Sequence, residues 1–89
     1  MKHLNLTVTG RVQGVSFRNF TQVKAASLGL KGFVMNQADG TVYIEAEGKA
    51  EALKDLITWL KQETPLARVE MVAIKTGKIQ GFATFEIRS

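Results

Sequence analysis

The chain has 89 residues, enough for one compact domain spanning 1–89 and too few for two. Hydrophobic residues make up 45% of it, so a core can form, but a domain this small keeps a thin stability margin and its aromatic and aliphatic positions are read as inward-facing. It has no cysteine and a single histidine, which excludes a disulfide scaffold, thiolate catalysis and a histidine-rich metal site, while 12 lysines and arginines against 8 acidic residues give a net charge of +4 that a soluble basic surface explains, attraction of an anionic partner being the functional reading.

The N-terminus alternates polar and apolar residues without a long apolar run. No signal peptide or membrane span is expected, and the cytoplasm is the expected location. Leu4, Leu6 and Val8 alternate with Asn5, Thr7 and Thr9, the pattern of a half-buried strand. His3, at its start, is read as a surface histidine. Gly10 to Ser16 then reads as a loop. Phe17 to Leu28 reads as a helix with Phe20, Val23, Ala26 and the following Leu30 on its inner face, and Gly29 is its stop signal.

Gly32 to Asn36 is a short second strand. Asp39-Gly40 marks a turn, and Thr41 to Glu47 is a third strand with Val42, Ile44 and Ala46 on one face and Tyr43, Glu45 and Glu47 on the other. Lys49 to Glu63 is the clearest helix, its apolar stripe formed by Ala50, Leu53, Ile57 and Leu60, with Trp59 in the core and Thr64-Pro65 as the stop. Arg68 to Thr76 is a fourth strand, and Phe82 to Arg88 a fifth with Ala83, Phe85 and Ile87 on one face.

The order β-α-β-β-α-β plus a C-terminal strand defines an α+β, ferredoxin-like α/β sandwich: two helices packed on one face of a mainly antiparallel sheet. The core strand order expected is 4-1-3-2; the pairing of the last strand does not follow from the pattern. Fold alone leaves the activity open.

The most informative segment is Gly10-Arg11-Val12-Gln13-Gly14-Val15-Ser16-Phe17-Arg18, the link between the first strand and first helix, which by its residues alone fits either an ordinary loop with an exposed arginine or an anion-binding turn. Its glycines permit backbone conformations closed to other residues. Such a turn can aim several N–H groups at one anion, and the helix N-terminus adds unpaired N–H groups and the positive end of its dipole. Arg18 falls in the first helical turn, where its guanidinium can close on the same anion. The segment has no G-K-[ST] and no paired G-x-G, so it is neither a Walker A loop nor a dinucleotide fingerprint.

This segment resembles the acylphosphatase family signature G-x-V-Q-G-V-x-F-R at every fixed position. A second signature of that family, G-[WF]-V-x-N-x-x-D-G-x-V, is matched by Gly32-Phe33-Val34-Met35-Asn36-Gln37-Ala38-Asp39-Gly40-Thr41-Val42. Phe33 stands where tryptophan is common, at a packing position. The resemblance covers essentially the whole chain and implies the same fold. It also implies an acyl phosphate substrate, inorganic phosphate as product and inhibitor, no metal or other cofactor, and Arg18 and Asn36 as the catalytic side chains. Arg18 would bind the phosphoryl oxygens together with backbone N–H groups of Gln13, Gly14, Val15, Ser16, Phe17 and Arg18, while Asn36, a donor and an acceptor, would position the attacking water. Ser16 itself reads as a helix N-cap without a catalytic role. A monomer is expected, with no membrane or nucleic-acid partner. Two alternatives remain at this point: a non-catalytic accessory domain of the same fold, like that in hydrogenase maturation proteins, and an RNA-binding module, for which Lys31-Gly32-Phe33-Val34 offers a partial motif on the wrong strand.

Overall fold

A computed structural model describes residues 1–14, 16–62, 64 and 67–88. The elements follow in the order β1 (Lys2–Arg11), α1 (Phe17–Ser27), β2 (Lys31–Asn36), β3 (Val42–Gly48), α2 (Ala50–Gln62), β4 (Arg68–Gly77) and β5 (Phe85–Arg88). They build one five-stranded sheet in the order β4-β1-β3-β2-β5. The ferredoxin-like α+β architecture and the 4-1-3-2 core order are therefore as expected. The last strand adds to the edge at β2, in parallel, with Gly32 opposite Phe85 and Val34 opposite Ile87.

The pleat assigns the faces. Leu4, Leu6 and Val8 of β1 lie opposite Ala46, Ile44 and Val42 of β3. Val34 and Asn36 of β2 lie opposite Ile44 and Val42, and therefore share that face. The two helices cover it: Phe17, Thr21 and Ala25 of α1, and Leu53, Leu56, Trp59 and Leu60 of α2, are buried against it. Nine of the described apolar residues of this layer (Leu6, Val8, Ala25, Val34, Val42, Ile44, Ala46, Leu56 and Leu60) are wholly inaccessible.

The inner face of α1 differs from the expected one. Phe20, Val23 and Ala26 are exposed, and the buried row runs Phe17, Thr21, Ala25 at intervals of one turn. Phe17 is the anchor, fixed at the point where the chain enters the helix, and its row sets the orientation of every later residue. The polar Thr21 hides this row from a hydrophobicity reading. In α2, Leu53 and Leu60 are buried as expected, Ile57 packs against the core, and Ala50 is exposed while Leu56 and Trp59 fill the face. Glu63 and Pro65, read as the end and stop of this helix, lie outside the described residues.

β1 continues past Thr9 to Arg11, through a bulge at Thr9/Gly10 where the register with β4 shifts. Gly10 has φ 135, and a Cβ there would collide with the Arg68 carbonyl oxygen, so only glycine fits. β5 starts at Phe85, later than expected. Phe85 is buried, but Ala83 and Ile87 are exposed. The preceding segment crosses from β4 to the opposite edge of the sheet, and Phe82 stacks on His3 and packs edge-on to Phe33 on the helix-free face.

His3 is not a surface residue: it is 3% exposed, and Glu47, read as outward-facing, is 2% exposed. Glu47 Oε1 accepts from the N–H groups of Gly81 and Phe82, and its Oε2 accepts from the N–H of Gln80. The crossing segment thus roofs the outer face here and takes its backbone partners from one carboxylate.

Candidate active site

β1 is antiparallel to β3, β3 is antiparallel to β2, and β2 is parallel to β5. The C-terminal ends of β1, β2 and β5 therefore meet at one end of the sheet. α1 starts at that end because it follows β1. This topology brings together the turn after β1, the first turn of α1, Asn36 at the end of β2, and Ile87 in β5.

They line a cleft of about 310 Å³, together with Val12 and Asn19. Of the expected site residues, Gln13, Gly14, Ser16, Phe17, Arg18 and Asn36 all border it; Val15 lies outside the described residues. Val12, Asn19 and Ile87 were not foreseen. Ile87 follows Phe85 with strand periodicity, but that signal pointed to the core.

The turn carries left-handed backbone at two described positions, Gly14 (φ 75) and Ser16 (φ 60). Such conformations turn successive N–H groups toward a common side. For a serine it costs about 1–2 kcal/mol, a strain typical of functional turns. Ser16 does occupy the cap position of α1, yet its hydroxyl makes no capping bond; its carbonyl accepts from Phe20 N–H. The first N–H groups of α1 thus remain unpaired by the helix, and no acidic residue occupies its first turn.

Gln13 commits its side chain elsewhere. Its Nε2 donates to the carbonyls of Gln37 (2.9 Å) and Thr41 (2.8 Å), tying the turn after β1 to the β2–β3 connection. Within that connection Asp39 accepts from the N–H and hydroxyl of Thr41, bonds that hold its carboxyl below the usual range. Gln13 and Asp39 thus fix the hairpin from which Asn36 projects.

Arg18 Nη1 donates to the Arg88 carbonyl at 3.0 Å, and among the described residues its guanidinium forms no ion pair. Asn36 Oδ1 is buried and accepts no hydrogen bond from any described residue. At the opposite end of the sheet, His3 Nδ1 faces Glu47 Oε2 at 2.7 Å, and Nε2 faces Asn5 Oδ1 at 2.7 Å and Glu45 Oε1 at 3.1 Å. Burial works to lower the His3 pKa, but the bonds to Glu47 and Asn5 and the charges of Glu45 and Glu47 outweigh it and hold the ring above its ordinary value. His3 thus has acceptors at both ring nitrogens and lies far from the cleft. Among the described residues, no group of three or more His, Cys, Asp or Glu is placed to hold a metal ion.

Fold and cleft together define a ferredoxin-like α+β protein with an arginine-bearing cleft where a strand turns into a helix. The acylphosphatase family model matches residues 4–87. The chain belongs to the acylphosphatase family and is an enzyme of that family. An acylphosphatase of Thermus thermophilus is 46% identical over 87 residues, covering 98% of this chain and 99% of the relative. The crystal structure of the Bacillus subtilis acylphosphatase matches with a TM-score of 0.96 at 36% identity, covering 100% of both chains. The T. kodakarensis HypF structure matches with a TM-score of 0.87 at 34% identity, covering 100% of this chain but 12% of that one. None of the described helices is long and apolar enough to cross a membrane.

Proposed function

We propose that the chain hydrolyses acyl phosphates in this cleft without a metal, Arg18 and the backbone N–H groups of residues 13–18 binding the phosphoryl group and Asn36 positioning the water. The observation that carries the reading is the buried, unpartnered Oδ1 of Asn36 on the same cleft as Arg18. A buried acceptor without a protein donor is normally satisfied by water. A water donating to Oδ1 keeps a lone pair for phosphorus.

In the reaction the water oxygen bonds to phosphorus as the bond from phosphorus to the acyl oxygen breaks. The electron pair leaves with the carboxylate, and the water's proton passes to a phosphoryl oxygen. Such a transfer needs positioning and charge stabilisation more than covalent help. The leaving carboxylate is a weak base, so neither a general acid nor a metal is required. A phosphate monoester would expel an alkoxide and should react poorly. Inorganic phosphate occupies the same amides and should inhibit competitively. The protein acts as a monomeric single domain in the cytoplasm.

The near-complete coverage of the Thermus relative favours an enzyme over an accessory domain. The RNA-binding alternative has little support, because Phe33 is buried beneath Arg88, Phe82 and Tyr43 and offers no face for a base.

Hydrolysis of acetyl phosphate and benzoyl phosphate, with and without EDTA, is the direct test. Turnover unaffected by EDTA is expected, with Asn36→Ala reducing kcat by about 10²–10³. Near-full turnover by folded Asn36→Ala would remove the water-positioning role, and loss with EDTA that magnesium restores would overturn the metal-free chemistry.

A further inference from the structure

We propose that Ile87 is the contact for the acyl substituent, and that the cleft thereby selects acyl phosphates whose substituent is apolar, aromatic ones above small ones. The proposal rests on the acyl phosphate reading of the cleft and adds a substrate class to it.

Most of the described lining residues are polar or glycine. Two of the apolar ones, Val12 and Phe17, are each 1% exposed and belong to the core. Ile87 differs, an aliphatic side chain 42% exposed on the same cleft. Its direction follows from register. Ile87 lies opposite Val34 in a parallel pair, so it projects to the helix-covered face, as Phe85 does two residues earlier. Phe85 is buried among core residues, whereas Ile87 lies nearer the cleft end of β5 and faces solvent.

An isolated exposed isoleucine is ordinary; its location here carries the argument. β5 is held in place at both ends from α1. Gln22 Nε2 donates to the Phe85 carbonyl at 3.2 Å, and Arg18 Nη1 to the Arg88 carbonyl at 3.0 Å. Gln22 and Arg18 are one turn apart on the helix. The guanidinium that would grip the phosphoryl group therefore also fixes the residue next to Ile87.

An acyl phosphate is chemically two-ended. Its phosphoryl oxygens need N–H donors, which the turn and Arg18 supply. Its carbonyl substituent needs no charge partner and gains from apolar surface. With the turn occupied by phosphoryl oxygens, the substituent extends toward the open side, where Ile87 offers that surface.

The test compares kcat/KM for benzoyl phosphate and acetyl phosphate in the full chain and in Ile87→Ala, with inhibition by inorganic phosphate measured alongside. The benzoyl-to-acetyl ratio should fall about tenfold in Ile87→Ala, the scale of apolar discrimination in an open pocket, while the phosphate inhibition constant stays unchanged. Ile87→Val should show a smaller fall in the same ratio, and circular dichroism checks that both variants fold. An unchanged ratio, or an equal loss on both substrates, would overturn the acyl contact and leave the hydrolase reading standing. Failure of the unmodified chain to turn over either substrate would overturn both.

Discussion

Arg18 in the first turn of α1 and Arg88 at the end of β5 are joined by one hydrogen bond, from the guanidinium of the first to the carbonyl of the second. This bond uses one of the five N–H donors of Arg18 and leaves the others for an anion. It also preorganises the side chain, because the guanidinium is held before any ligand arrives.

Replacing Arg18 separates these two roles. Arg18→Ala should lower kcat by about 10²–10³, the scale for removing one preorganised charge-stabilising group. Its stability cost should be only about 1 kcal/mol, since a single exposed hydrogen bond is lost. Arg18→Lys retains the charge but not the paired geometry and should recover little activity. Steady-state kinetics and urea unfolding measure the two effects independently.

Gln13 has a structural role within the site. Gln13→Ala removes both bonds to the Gln37 and Thr41 carbonyls. A loss of about 1–3 kcal/mol in chemical denaturation is expected. Activity should fall less than in Asn36→Ala, because the amide of Asn36 survives on a looser hairpin. A Gln13→Ala protein as stable as the parent would show that the two bonds do not anchor the connection.

The His3–Glu47 pair gives stability a pH dependence. Burial works to raise the Glu47 pKa, but the N–H groups of Gln80, Phe82 and Gly81 and the His3 ring outweigh it and hold the carboxyl below its ordinary 4.5. Its stabilisation is therefore present above pH 4.5 and is lost as pH falls through the folded value. His3 is held above its ordinary 6.5, so its stabilisation is complete below pH 6.5 and is lost as pH rises through the folded value. Both contributions are in place between pH 4.5 and 6.5. Thermal unfolding across pH should show His3→Gln abolishing the decline on the alkaline side while leaving the acid limb.

Gly10 and Gly14 should respond differently to alanine. At Gly10 the added methyl meets the Arg68 carbonyl and the backbone of Glu70, so the bulge and the β1–β4 pairing must shift. At Gly14 the methyl meets nothing within 4 Å, and only left-handed backbone strain of about 1–2 kcal/mol applies. Gly10→Ala should therefore lower the melting temperature more. Gly14→Ala should remain folded and lose phosphate affinity, read from inhibition by inorganic phosphate.

Period-2 alternation was enough to identify β1 and β3 with the correct faces, because each strand has one clean apolar side. Period-3.6 spacing identified both helices but placed α1 on the wrong face, since Phe20 and Val23 outscore Thr21 in hydrophobicity. Gln13, Gly14, Ser16, Phe17, Arg18 and Asn36 of the cleft were legible because two motifs contain them, whereas Asn19 and Ile87 lie outside both motifs. The buried state of His3 was not, because its partner Glu47 is far along the chain and an isolated histidine at a strand end carries no sign of one.

Alternation and helical spacing, local patterns that each segment carries by itself, thus determine the element order; that order with right-handed crossovers gives the core strand arrangement, and the two motifs give the family. The edge taken by β5, the face α1 turns inward, the His3–Glu47 roof and the exposure of Ile87 on the cleft were decided only by the tertiary structure. Each depends on contacts between segments distant in sequence, and the same local pattern fits more than one of them until the layers are packed.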